Sequence, residues 1–280
     1  MRRRDLLAGM AAAALIGCLP TYALAAPAAS AFAPTRFTAT VRGSGPDVIL
    51  IPGLTAGPDV WNGLVGALPG YRYHLIHVGG MAGAPAGGNA SGAIVSPLAD
   101  EIARYIEARG LRRPALIGHS MGGTLAMMVA ARRPGLVGRL MVVDMLPQPS
   151  GLVGSSPERA RAMAERLRAL GSSSAGRMLV GSLIGSFGTD GRSDPDVVAR
   201  AMEELAALDL TADLPRIAAP LTVVYANRDA RSRARTDAAY AAAYAGARDR
   251  RLIRIDGSGH MIMFEQPAQL AEAVREFLGR

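Results

Sequence analysis

The chain has 280 residues, 50% of them apolar, with 31 basic and 23 acidic side chains and a formal charge of +8. That length suits one large α/β domain or two small ones, and the apolar content excludes a wholly disordered chain. Every basic residue is arginine, scattered along the sequence, and the densest run, "NRDARSRARTD" at 227–237, has no interleaved aromatics. The charge therefore reads as a solvated basic surface and argues against a nucleic-acid partner.

Residues 1–25 read as a signal peptide. "MRRRDLL" is a positive start and resembles a twin-arginine export signal; Leu6 to Gly17 is apolar but too short for a permanent membrane span; "ALA" at 23–25 is a small-x-small cleavage site. The alternative is "LIGC" at 15–18, a lipoprotein box in which Cys18 is lipidated. Either route exports the protein, and only the second ties it to a membrane. Cys18 is the single cysteine, so no intramolecular disulfide forms. Residues 26–36 read as a linker.

Strands are predicted at 37–43, 47–53, 71–78, 114–120, 138–145, 220–227 and 250–257, several of them short continuous apolar runs suited to burial on both faces. Helices are predicted at 96–110, 121–135, about 236–246 and 267–279; the first has a Ser96-Pro97 start and a Gly110 stop. This alternation predicts a mostly parallel sheet covered on both faces. One stretch, 147–215, breaks the rhythm with "SPERARAMAERLRAL" and "DPDVVARAMEELAAL". Their capping signals are Ser156 before Pro157 and Asp194 before Pro195. It reads as a helical cap whose Met163, Met178, Leu179, Leu183 and Phe187 form lid core or an apolar pocket wall.

The chemistry is concentrated in "LIGHSMGGTLAMMVA" at 116–130. A strand ends in Gly-His-Ser-Met-Gly and a helix begins at once, the context a nucleophile elbow requires. Ser120 would sit at the carboxyl end of its strand, where the helix N-terminus favours developing negative charge and the Met121 N–H can face an oxyanion. A base is then needed. The four histidines are His74, His77, His119 and His260. His119 adjoins Ser120, but the turn should direct its side chain elsewhere. His260, in "DGSGHMIMFEQP", follows the last strand at the same sheet edge. The acid should lie between Ser120 and His260 in chain order, at a strand end. Asp229 in "VVYANRDA" is the expected acid and would hold the imidazole tautomer; Asp144, ending "LMVVDM", is the alternative. Asp256 is too close along the chain to turn back onto His260.

With "IPGLTAGPDVW" (51–61), "IGHSMGG" (117–123), "ANRDA" (226–230) and "GSGHMIMFEQP" (257–267), the sequence resembles the α/β-hydrolase superfamily over about residues 37–280. The resemblance implies an eight-stranded sheet built from 37–146 and 216–280, with a cap between the sixth and seventh strands. It also implies a second oxyanion N–H at Leu54. Pro52-Gly53 stands where relatives have His-Gly, so only the backbone donor remains, and Trp61 is expected to pack beneath that loop. "GGMAGAPAGG" at 79–88 replaces an Asp-bearing turn and reads as a flexible, uncharged wall of an apolar entrance. The serine excludes the branches with an aspartate nucleophile. No metal-ligand spacing, phosphate loop or dinucleotide fingerprint occurs, so no metal or cofactor is expected. The sequence thus predicts a serine hydrolase of a small, apolar ester, working through an acyl-enzyme. Its rivals are the same triad in carbon–carbon bond hydrolysis, lactone hydrolysis or perhydrolysis, and a non-catalytic exported binding module.

Overall fold

Continuous apolar runs leave no solvent face, and the strands they form are the centre of the sheet. In the computed structural model, which describes residues 32–149, 162, 165, 166, 169 and 192–279, β2 (Asp47–Ile51), β4 (Ala115–His119) and β5 (Arg139–Val143) are buried along almost their whole length. With β1 (Phe37–Gly43), β3 (Arg72–Val78), β6 (Leu221–Asn227) and β7 (Arg250–Asp256) they form one seven-stranded sheet, ordered β1-β3-β2-β4-β5-β6-β7. All neighbours are parallel except β1 and β3. The expected signal peptide, Cys18, Ser156, Pro157 and residues 163, 178, 179, 183 and 187 of the expected cap lie outside the described residues.

The expected eighth strand is absent among the described residues. β1 pairs directly with β3 over its full length, from Phe37↔Val78 to Gly43↔Arg72, so the antiparallel edge is one strand wide. The stretch expected to form a cap, 147–215, accordingly falls between the fifth and sixth strands of this sheet.

Alternation along the strands divides the core in two. Ile49, Ile51, Leu116, Leu140 and Val142 face α2 (Val95–Ala108), α3 (Met121–Arg132), α4 (Pro195–Ala207) and α5 (Arg233–Ala243). Val48, Leu50, Ile117, Met141 and Val143 face α1 (Asn62–Ala67), α6 (Ile262–Glu265) and α7 (Pro267–Leu278). The period of two makes each strand serve both layers.

The last helix of the insertion is tied to this body. Asp194 caps α4 by accepting the N–H groups of Asp196 and Val197 at 2.9 and 3.2 Å, and Pro195 takes the first helical position. Val197, Val198, Ala201 and Leu205 join the larger core. Glu204 reaches across to accept the N–H groups of Ile94 and Val95 at 2.7 and 2.8 Å, at the start of α2.

The Gly-rich loop 79–88 is held firmly too, contrary to the flexible wall expected. Met81 is fully buried, the Ala82 N–H donates to Ser193 Oγ, and the Asp194 N–H donates to the Gly80 carbonyl. Gly80 has φ +82°, and a Cβ there would lie 2.7 Å from the Val197 side chain, so glycine lets the loop close on α4. Within the expected linker, Thr35 and Arg36 donate their N–H groups to the buried Glu101 carboxylate at 2.9 and 2.8 Å.

Candidate active site

The turn at Ser120 exists because two glycines permit it. A Cβ on Gly118 would lie 2.1 Å from the Gly122 carbonyl oxygen, and one on Gly122 would lie 2.2 Å from the Ile51 oxygen. Strand and helix therefore meet backbone to backbone. Between them Ser120 is forced to φ 54°, ψ −124°, a conformation that a residue with a side chain adopts only under constraint. The Ser120 N–H donates to the Val143 carbonyl at 3.0 Å, and its own carbonyl accepts from Gly123 and Thr124, starting α3. The Ser120 side chain does not cap that helix, which leaves its hydroxyl for other work.

Two candidate oxyanion donors flank it. Met121 occupies the first turn of α3, where no intrahelical acceptor exists. Leu54 follows Gly53, and a Cβ on Gly53 would lie 3.1 Å from Ser120 Cβ, which sets this loop against the serine. Trp61, fully buried, packs in the core beneath it.

His260 lies in the loop after β7, and its Nδ1 is 2.7 Å from Asp144 Oδ2. The pair is asymmetric: the imidazole is 42% exposed and the carboxylate 7%. Asp144 directly follows β5 and has φ 50°, so the chain turns sharply and aims the carboxylate across the sheet edge. Its second oxygen accepts from the Ala226 N–H at 2.9 Å and from Tyr240 Oη at 3.0 Å. The His260 loop is also braced by Glu265, which accepts the Gly259 N–H at 2.8 Å and pairs with Arg228 at 3.1 Å. Ser120 Oγ makes no hydrogen bond to His260 among the described residues; such bonds commonly tighten only when substrate is bound.

The preferred acid, Asp229, is not brought to His260. It lies two residues past the end of β6, is exposed, and accepts the Arg231 N–H at 2.9 Å, capping the 3-10 turn Ala230–Ser232. The alternative, Asp144, occupies the position expected of Asp229. Chain order could not separate them, because both fall between Ser120 and His260. Asp256 binds Arg254 and Arg233. Of the other histidines, His74 is buried between Asp47 and Tyr105, and His77 donates to the Met81 carbonyl.

Two site residues were not identified from the sequence. His119 Nε2 lies 2.9 Å from the His260 carbonyl, so it must carry the proton, and the two rings are 4.6 Å apart. Burial, with the neighbouring His260 adding to it, lowers the His119 pKa to about 3. A neutral imidazole thus supports the His260 loop from below. Tyr240 is the other; its i,i+4 spacing to Tyr244 marks a helix face, but nothing in the sequence says what that face meets.

A model of the Alpha/beta hydrolase family matches residues 48–273. The chain belongs to the α/β-hydrolase family. The hydrolase is 29% identical over 203 residues to a putative carbamate hydrolase, RutD, of Stutzerimonas stutzeri, with 66% of this chain and 74% of that one covered. It is 27% identical over 210 residues to a pimeloyl-(acyl-carrier protein) methyl ester esterase of Vibrio atlanticus, covering 68% of this chain and 78% of the relative. Among solved structures it superposes on a thermophilic esterase from Thermogutta terrifontis with a TM-score of 0.71 at 23% identity, covering 87% and 93% of the two chains. It also superposes on an enol-lactonase from Burkholderia xenovorans LB400 with a TM-score of 0.67 at 20% identity, covering 87% and 96%. At those identities the structural neighbours speak for the fold alone.

Proposed function

We propose that this hydrolase is a serine esterase that cleaves a small carboxylic ester through an acyl-enzyme, with Ser120 as nucleophile, His260 as base and Asp144 as acid. The observation that carries the reading is the 2.7 Å contact between His260 and the buried Asp144, at the sheet edge where the strained turn presents Ser120. In the proposed cycle Ser120 Oγ attacks the ester carbonyl carbon while His260 Nε2 accepts the hydroxyl proton. Asp144 fixes the proton on Nδ1 and offsets the imidazolium charge. The Leu54 and Met121 N–H groups stabilise the oxyanion, and the loss of one such donor typically costs about 3 kcal/mol of barrier. Collapse expels the alcohol, which takes its proton from His260. Water, deprotonated by the same histidine, then releases the acid and regenerates Ser120.

The two relatives, by name a putative carbamate hydrolase and a methyl ester esterase, point the substrate towards carboxyl esters and carbamates. The test is hydrolysis of a short-chain p-nitrophenyl ester, with a p-nitrophenyl carbamate in parallel. Ester turnover abolished by Ser120→Ala supports the reading; ester turnover unchanged by it overturns the mechanism. Preferential turnover of the carbamate would move the substrate class. The N-terminal segment supports the further reading that the enzyme is exported. An intact mass starting at Ala26, or a diacylglycerol on Cys18, would support this, and retention of Met1 in exporting cells would refute it.

A further inference from the structure

We propose that Tyr240 is a positioning residue of the active site, acting through Asp144 to aim the carboxylate and to moderate its pull on His260. The inference rests on the triad reading above. A carboxylate with one oxygen on a histidine can rotate about χ2 unless its other oxygen is held. Here that oxygen has two donors of different kinds. One, the Ala226 N–H, is backbone of β6 and fixed by the sheet. The other, the Tyr240 hydroxyl at 3.0 Å, is a buried side chain with no competing solvent.

The ring that carries this hydroxyl is itself immobilised. Tyr240 stacks on Tyr225 with centroids 4.2 Å apart and planes 16° apart, and on Tyr244 at 6.5 Å and 8°. Tyr225 is anchored by its hydroxyl to Asp237 at 2.8 Å, and Asp237 pairs with Arg254. Tyr244 donates to the Met145 carbonyl at 2.7 Å, one residue beyond the acid. The three rings thus form a ladder from α5 and β6 whose middle rung meets the acid.

The titratable groups facing Asp144 are His260, His119, Tyr240 and Tyr244. His119 is neutral down to about pH 3. Burial first, and then the Asp144 charge, push both tyrosines far above their usual range. Tyr240 therefore keeps its proton and remains a donor to Asp144 throughout. A donor on Oδ1 draws charge away from Oδ2. Its removal strengthens the hold of Asp144 on the imidazolium and loosens the aim of the carboxylate.

Tyr240→Phe keeps the ring stack and removes only the hydroxyl. The expected result on a p-nitrophenyl ester is a kcat about tenfold lower with KM unchanged. The acid limb of the pH profile should move up by about half a unit. In an Asp144→Asn background the same change should alter kcat by less than about twofold, since its route to the chemistry is gone. A Tyr240→Phe enzyme with wild-type kcat and pH profile overturns the proposal, as does an equal loss in the Asp144→Asn background. Full activity of Asp144→Asn alone overturns the triad reading and the proposal with it, and that arm tells the two failures apart.

Discussion

The ends of β5 and β6 each deliver an aspartate to the same edge of the sheet, and their fates differ. Asp144 follows β5 without an intervening residue, turns at φ 50°, and ends with 7% of its side chain exposed and every oxygen engaged. Asp229 follows β6 after Arg228, has φ −110°, and spends its carboxylate on the next turn. Strand position brings an acid to the active edge in both cases. The backbone turn and the depth of the site decide which acid meets the histidine.

The most severe way to break this comparison is kinetic. Asp144→Asn should lower kcat/KM for a p-nitrophenyl ester by about 10³–10⁴-fold, since the amide stabilises the wrong imidazole tautomer. Asp229→Asn should stay within about twofold, because the amide oxygen can still accept the Arg231 N–H and only an exposed charge is lost. The reverse ranking would return the acid to β6.

Next in size is the elbow, on which both acids depend for a target. Gly118→Ala sets a Cβ against the Gly122 backbone. That contact cannot relax by rotating a side chain, and the loss should exceed about 3 kcal/mol. Little folded protein, or a melting temperature lower by roughly 10 °C, would agree; an unaltered melt would show that strand and helix can separate.

A smaller effect comes from His119, which joins the elbow to the His260 loop. Its pKa is lowered in the fold from 6.5 to about 3, so the unfolded chain binds a proton that the folded chain refuses. The stability it contributes is complete above about pH 6.5 and is lost as pH falls towards 3. Between pH 6.5 and 5 the loss should be roughly 1.5 kcal/mol, read as a falling melting temperature. His119→Gln keeps a donor for the His260 carbonyl and should flatten that dependence; an equally steep fall in the variant would assign it to other groups.

The mildest test leaves the edge altogether. Asp194→Ala removes the two-pronged cap of α4 and should cost about 1 kcal/mol, a few degrees of melting temperature, while ester turnover holds. A large loss of turnover would mean that α4 helps to form the site.

Much of the architecture was legible beforehand because local physics repeats itself. The apolar runs read as strands at 47–53, 114–120 and 138–145 suit burial on both faces and form the buried strands at 47–51, 115–119 and 139–143, and Asp194-Pro195 marked the start of α4 to the residue. The Gly-His-Ser-Met-Gly turn was legible for the same reason, since glycine spacing is a local steric demand. The Gly-rich loop misled because composition suggests freedom, whereas Gly80 is small in order to let Val197 in.

By itself, then, the sequence determined which segments become the seven strands and the longer described helices, though not the short α1 and α6, that a serine would stand at a strand-to-helix turn, and that His260 would share its edge. Those features depend on residues adjacent in the chain or on the alternation of buried and covered faces. Only the tertiary structure decided the width of the sheet, the partner of His260 and the parts taken by His119 and Tyr240. Each of these is a contact between residues far apart in sequence, Asp144 with His260 and Tyr240 foremost. Such contacts follow from how the elements pack and how sharply the chain turns between them, and a linear pattern carries neither.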